Sequence, residues 1–169
     1  MLNVRNLMFT SVAAVSLAFG TGAAPAHAQV VQDEEHCVIN VKTSDVLNVR
    51  TKASMSSKVV TTLRYSDCGV VVTGACKGAW CPIETGHDAG WVNSRYISMV
   101  SPAMYCVAGV KQGDTLNLRA FPSSDSRILT KLARQQCDIA LLPYSKGNWQ
   151  KVRVNGFEGW VSRKFVSGE

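Results

Sequence analysis

Leu47-Asn48-Val49-Arg50 returns 69 residues later as Leu116-Asn117-Leu118-Arg119. The same offset carries Lys77-Gly78 onto Lys146-Gly147, Trp80 onto Trp149, and Gly90-Trp91-Val92 onto Gly159-Trp160-Val161. No gap is needed between Cys37 and Ser98, and about a third of those positions are identical. A period this long, present only twice, means tandem domains and not a solenoid. The first module spans 37–98, a connector covers 99–105, and the second module spans 106–167. Each is about 60 residues, a size at which a hydrophobic core alone gives marginal stability.

Residues 1–28 read as an export signal. Arg5 supplies a positive start, Leu7 to Gly20 is an apolar run, and Ala26-His27-Ala28 is a small-residue cleavage signature. The mature chain is expected to begin at Gln29 with an acidic leader, 29–36, that holds Asp33-Glu34-Glu35 and His36. There is no cysteine at the cut for lipid attachment, and no later stretch is apolar enough to span a bilayer. The expected location is the periplasm or the exterior, with no transmembrane anchor after cleavage.

That compartment sets the meaning of six cysteines. An even count in a small exported chain argues for disulfides, and six cysteines allow fifteen pairings. The repeat chooses among them. Cys37 maps onto Cys106 and Cys68 onto Cys137, so bonds internal to each module are Cys37–Cys68 and Cys106–Cys137. Ser145 and Gln150 stand where Cys76 and Cys81 would recur, which leaves those two for each other. In the chain-entropy picture each long loop contributes roughly 3.5–4 kcal/mol and the short one about 2. A zinc site is disfavoured, because no C-x-x-C pair exists and oxidation competes with metal.

Short β-branched runs with turns between them predict strands near Val46–Val49, Val59–Leu63, Cys68–Thr73, Trp80–Ile83 and Gly90–Val92. No amphipathic helix of any length is expected. The fold class is all-β, two small disulfide-stapled barrels in tandem.

The order of motifs resembles the bacterial SH3-like (Src-homology-3) domain family. In the first module the motifs are Leu47 to Arg50, Ser54 to Leu63, Gly78 to Trp80, and Gly90 to Val92. In the second they are Leu116 to Arg119, Ser123 to Leu132, Gly147 to Trp149, and Gly159 to Val161. Two features depart from the family pattern. Lys52-Ala53 and Phe121-Pro122 replace a glycine-proline pair, and Asp67-Cys68 and Gln136-Cys137 stand where a glycine often precedes the next strand. The resemblance implies a partly open barrel of five to seven strands. It also implies a module of the kind that attaches proteins to peptidoglycan or other surface polymers.

Little in the chain points to catalysis. The histidines beyond the signal are His36 and His87, every cysteine has an expected disulfide partner, and acidic residues are scattered. The glycines match no phosphate-binding spacing. No cofactor, no metal and no catalytic residue is expected.

The candidate ligand-binding residues are Trp80, Trp91, Trp149 and Trp160, with Lys146, Lys151 and Arg153. Repeated tryptophans either fill the core or its rim, or offer a stacking face to a peptide or sugar. Asn48 is expected in a turn, and Arg50 is expected to pair with Asp45, as Arg119 would with Asp114. Residues 29–102 are neutral by count, whereas 103–169 hold ten Lys/Arg against five Asp/Glu. That excess suits an anionic surface polymer and places Lys146, Lys151 and Arg153 ahead of Lys42, Lys52 and Lys58. Nucleic acid is not an expected physiological partner of an exported chain. The expected function is non-catalytic binding of peptidoglycan or another envelope polymer. The competing function is a protein-interaction scaffold or an adhesin for host proteins or acidic glycans.

Overall fold

The computed structural model describes residues 30–168, so the segment 1–28 read as an export signal lies outside the described residues. The described residues form fourteen short strands and two single-turn 3-10 segments, with no α-helix among them. The first seven strands are β1 (Glu35–Val38), β2 (Val46–Arg50), β3 (Val59–Arg64), β4 (Val70–Val72), β5 (Trp80–Glu84), β6 (Ala89–Asn93) and β7 (Ile97–Met99). They build one antiparallel sheet in the order β3-β2-β6-β5-β4-β1-β7. The second seven are β8 (Tyr105–Val107), β9 (Thr115–Arg119), β10 (Ile128–Ala133), β11 (Ala140–Lys146), β12 (Trp149–Val154), β13 (Phe157–Ser162) and β14 (Val166–Gly168). Their order is β10-β9-β13-β12-β11, with β8 and β14 as a separate pair. The topology therefore repeats. Only the link from the first strand to the fourth is thinner in the second module, where it shrinks to a single bridge between Tyr105 and Ile139.

Period-two alternation places the cores. Leu47 and Val49 on β2 point inward, as do Leu116 and Leu118 on β9. Around the first pair pack Val38, Val70, Val72, Ile83, Val92 and Ile97. Around the second pack Val107, Leu132, Ile139, Val152, Val154 and Val161. Gly90 and Gly159 are needed where β2 meets β6 and where β9 meets β13. A Cβ there would lie 2.7 Å from the Arg50 or Arg119 carbonyl oxygen.

The three disulfides are Cys37–Cys68, Cys76–Cys81 and Cys106–Cys137. The turn that lacks the family's glycine is closed by two other means. Ser66 and Gln135 adopt left-handed φ values of 70° and 62°. The Asp67 side chain accepts from the Arg64 amide, and that of Gln136 from the Ala133 amide, at 2.7 and 2.9 Å.

The leader is not a separate segment. Its last two residues belong to β1, His36 is fully buried, and Val30 packs on the first core. The connector is also shorter than 99–105, since Met99 ends β7 and Tyr105 begins β8.

A third apolar cluster joins the modules. Cys37 and Val100 from one side meet Ala140, Leu142 and Tyr144 from the other, with Ile39, Cys68 and Trp160 packed around them. The Tyr144 hydroxyl donates to the Val38 carbonyl at 2.8 Å, and the Tyr65 ring meets the Tyr144 ring edge-on at 5.4 Å. Burial pushes the Tyr144 phenol well above its ordinary pKa, so it stays a neutral donor. Ser101 and Leu141 exchange two further bonds.

Candidate functional site

A groove of about 540 Å³ lies on the first module. One wall is the strand β2, from which Asn48 and Arg50 face outward between the buried Leu47 and Val49. The floor includes Trp80, the first residue of β5, paired across the sheet with Asn93. The far wall is the 3-10 turn Ser94–Tyr96. Asn93 caps that turn by accepting from the Arg95 amide at 3.1 Å, and Asn40 donates to the Arg95 carbonyl at 3.0 Å. The loop 52–57 closes one end. Arg50 Nη1 donates to the Ser57 carbonyl at 2.7 Å, which holds the loop and presents Met55, 78% exposed, at the groove.

Two sequence expectations change here. Arg50 bonds Ser57 and not Asp45, and Arg119 likewise bonds the Ser126 carbonyl at 2.7 Å. Asp45 and Arg50 stand at opposite ends of β2, roughly 17 Å apart along a strand at ~3.3 Å per residue. Asp45 instead accepts from the Val46 amide, as Asp114 does from Thr115. Asn48 lies mid-strand facing the groove and not in a turn.

The lining combines two aromatic rings (Trp80 and Tyr96), a thioether (Met55) and carboxamides (Asn48, Asn93). It also carries three cations (Lys42, Arg50, Arg95) against one carboxylate, Asp45. Such a surface can stack on an apolar face, hydrogen-bond amide or hydroxyl edges, and attract an anionic group. It holds no histidine, cysteine or serine that could act as base or nucleophile.

The second module has a counterpart of about 510 Å³, lined by Asn148, Trp149, Ser162, Arg163 and Lys164. Trp149, Ser162 and Lys164 occupy the repeat positions of Trp80, Asn93 and Arg95. The Lys164 ammonium sits 4.6 Å from the Phe165 ring centroid.

The four tryptophans thus divide. All are half-buried and none joins a buried core. Trp80 and Trp149 line the two concavities. Trp91 lies beneath the Lys77 ammonium at 5.1 Å, and Trp160 packs on the cluster between the modules.

Of the three cations expected to flank Trp149, two are committed elsewhere. Arg153 makes a bidentate pair with Glu35 at 2.8 and 3.0 Å and also bonds Glu158 at 2.9 Å. Lys151 pairs with Glu158 at 3.3 Å and lies 5.3 Å from the Tyr144 ring centroid. Arg153 thereby braces the module junction, whereas Lys151 pairs within the second module. The period of β12 put Trp149, Lys151 and Arg153 on one face, but proximity in sequence could not show that Glu35 and Glu158 share it. Lys146 stands opposite Trp149 at the hairpin end and is exposed. The groove cations Lys42 and Arg95 carried no signal of their own, because they lie in a loop and a 3-10 turn of a module that is neutral by count.

The only close set of metal-ligating atom types among the described residues is Glu35, Cys37 and Cys68. Both sulfurs are spent in a disulfide, and Glu35 is held by Arg153 and by the Gly69 amide, so the set does not fit a metal.

Comparison with known proteins agrees with this architecture. The bacterial SH3 domain family matches residues 45–98 and 114–167, more than half of the chain. The chain belongs to this family. Each matched stretch covers most of one SH3 module and includes Trp80 or Trp149. A relative in Bacillus subtilis, YrvJ, is named as an N-acetylmuramoyl-L-alanine amidase; it is 28% identical over 99 residues. The match covers 52% of this chain and 19% of YrvJ, so about half of this SH3 chain corresponds to about a fifth of that relative. Two solved structures, NlpC2 and NlpC1 from Trichomonas vaginalis, overlap 80% and 85% of this chain and 48% and 49% of their own. Both have a TM-score of 0.38, with identities of 12% and 10%.

Proposed function

We propose that this protein is a non-catalytic binder of peptidoglycan or a related cell-envelope polymer, acting outside the cytoplasm. The observation that carries this reading is the groove of the first module, where Trp80 and Tyr96 sit among carboxamides and cations. A wall peptide offers matching chemistry in amide edges and carboxylates, and a glycan offers an apolar sugar face for stacking. Family membership supports the class of ligand, and so does kinship with a protein named as an N-acetylmuramoyl-L-alanine amidase. Three disulfides support an oxidising compartment, in keeping with the export signal read from residues 1–28.

The test is co-sedimentation with purified peptidoglycan. Trp80→Ala should weaken binding by about tenfold or more while the circular dichroism spectrum stays native. Lys42→Glu with Arg95→Glu should weaken it further and flatten the salt dependence. Unchanged binding by Trp80→Ala would overturn the site. Capture of host glycans with no affinity for peptidoglycan would favour the adhesin reading.

A further inference from the structure

The two modules share a break in the same place and close it differently. Between Val72 and Cys76 the chain bulges away from β5, and between Leu141 and Ser145 it bulges away from β12 in the same register. Across the second bulge Gln150 reaches back. Its side-chain amide donates to the carbonyls of Leu142, Tyr144 and Lys151 at 2.6, 3.1 and 3.0 Å. Cys81 takes that position in the first module and has no such reach. Pro82, opposite the bulge, has no amide hydrogen, and a single bond from the Thr73 amide to the Pro82 carbonyl crosses there.

The Cys76–Cys81 bond closes this gap. The hairpin tip beyond it is Lys77-Gly78-Ala79-Trp80, in which Lys77 and Trp80 exchange both backbone bonds at 2.7 and 3.1 Å. Gly78 supplies the φ of 58° that the two-residue turn requires. Cys76 and Cys81 are the next pair inward, where cross-strand side chains come closest, and their Cα atoms are 4.1 Å apart. Trp80, which lines the groove, is therefore enclosed in the six-residue covalent ring. One end of that ring, Cys81, is fully buried in the module core.

We propose that the Cys76–Cys81 disulfide is a positioning device for Trp80, anchoring its ring to the core so that the groove is preformed for its ligand. The second module lacks this bond, and Trp149 lines its concavity without a covalent ring around it. The inference rests on the groove being the binding site. It adds that affinity depends on the bond through Trp80, and not through general stability.

A double-mutant cycle tests it, with soluble peptidoglycan fragments as the probe and titration calorimetry as the readout. Cys76→Ala with Cys81→Ala should weaken binding by about tenfold, as expected when an ordered loop and side chain must be fixed on binding. In a Trp80→Ala background the same cysteine changes should alter affinity by less than about twofold. Cys76→Val with Cys81→Val, which keeps a packed cross-strand pair without the bond, should repeat both results if the alanine pair does not fold. An equal loss in both backgrounds, or no loss with Trp80 present, overturns the inference. If Trp80→Ala itself leaves binding unchanged, the groove reading fails instead.

Discussion

Two titratable residues on one strand tie stability to pH in different windows. The Arg153 hydrogen bonds hold the Glu35 carboxyl below its ordinary value of 4.5, against the opposing effect of burial. A carboxyl depressed in the folded state contributes stability above its unfolded value, and loses it as pH falls through the folded one. Arg153→Met, which keeps the packing stem, should therefore lower unfolding free energy by about 1–2 kcal/mol near neutral pH. The difference from wild type should shrink below about pH 4.5, as read by urea denaturation across pH. His36 titrates in a higher window. Its Nδ1 bonds the Glu34 carbonyl at 2.8 Å and its Nε2 accepts from the Val31 amide at 3.1 Å, which requires the neutral ring. Burial lowers its pKa from 6.5, so the stability it provides is complete above that value and declines as pH falls below it. His36→Gln can keep a donor and an acceptor without titrating. It should remove the slope of stability against pH just below 6.5, where Glu35 is still ionised.

Among the elements, the bulge in β11 shows how one repeated irregularity acquires two uses. In the second module it turns Leu142 and Tyr144 into the junction cluster, and Gln150 satisfies the carbonyls left without a strand partner. Gln150→Ala should cost about 1–3 kcal/mol, because partly buried carbonyls then lack a donor. Thermal melting in the oxidised state would measure it. A change within a few tenths of a kcal/mol would mean that water replaces the amide. In the first module the corresponding residues are Thr73 and Ala75, too small or polar to dock, and the disulfide takes over the closure.

For the whole molecule, contacts between the modules predict one folding unit, whereas a repeat alone suggests two independent ones. The Glu35–Arg153 pair, the Tyr144–Val38 bond and the shared cluster all cross between them. The contact is heterologous: a bulge of the second module meets a face of the first, and the equivalent bulge and face are left over. Such contacts propagate into filaments unless the unused surfaces are unsuitable. Here they are, because Arg134 replaces Tyr65 and Ala75 replaces Tyr144. Calorimetry should show a single unfolding transition for the intact chain. Tyr144→Ala removes a buried ring and its hydroxyl, a loss of about 3 kcal/mol or more, and should split the transition in two. Two transitions in the unaltered chain would show that the junction does not couple the modules.

The sequence by itself determined the two modules, their all-β character and all three disulfides. Each of these rests on a signal that is local or copied: alternation along a strand, turn residues, and cysteines related by one offset. The repeat could also mark Trp80 and Trp149 as equivalent, though not that they line concavities while Trp91 and Trp160 do not. What tertiary structure alone decided lies at positions where the copies differ. Glu35 stands against Met104, Tyr65 against Arg134, and Tyr144 against Ala75. A comparison that gains strength from identities gives such positions no weight. Their partners are 106 and 118 residues away for Tyr144 and Arg153, so which outward side chains are covered depends on how one barrel docks on the other. That docking turned Arg153 from a free cation into a structural one through Glu35, while Lys151 is held by Glu158 of its own module.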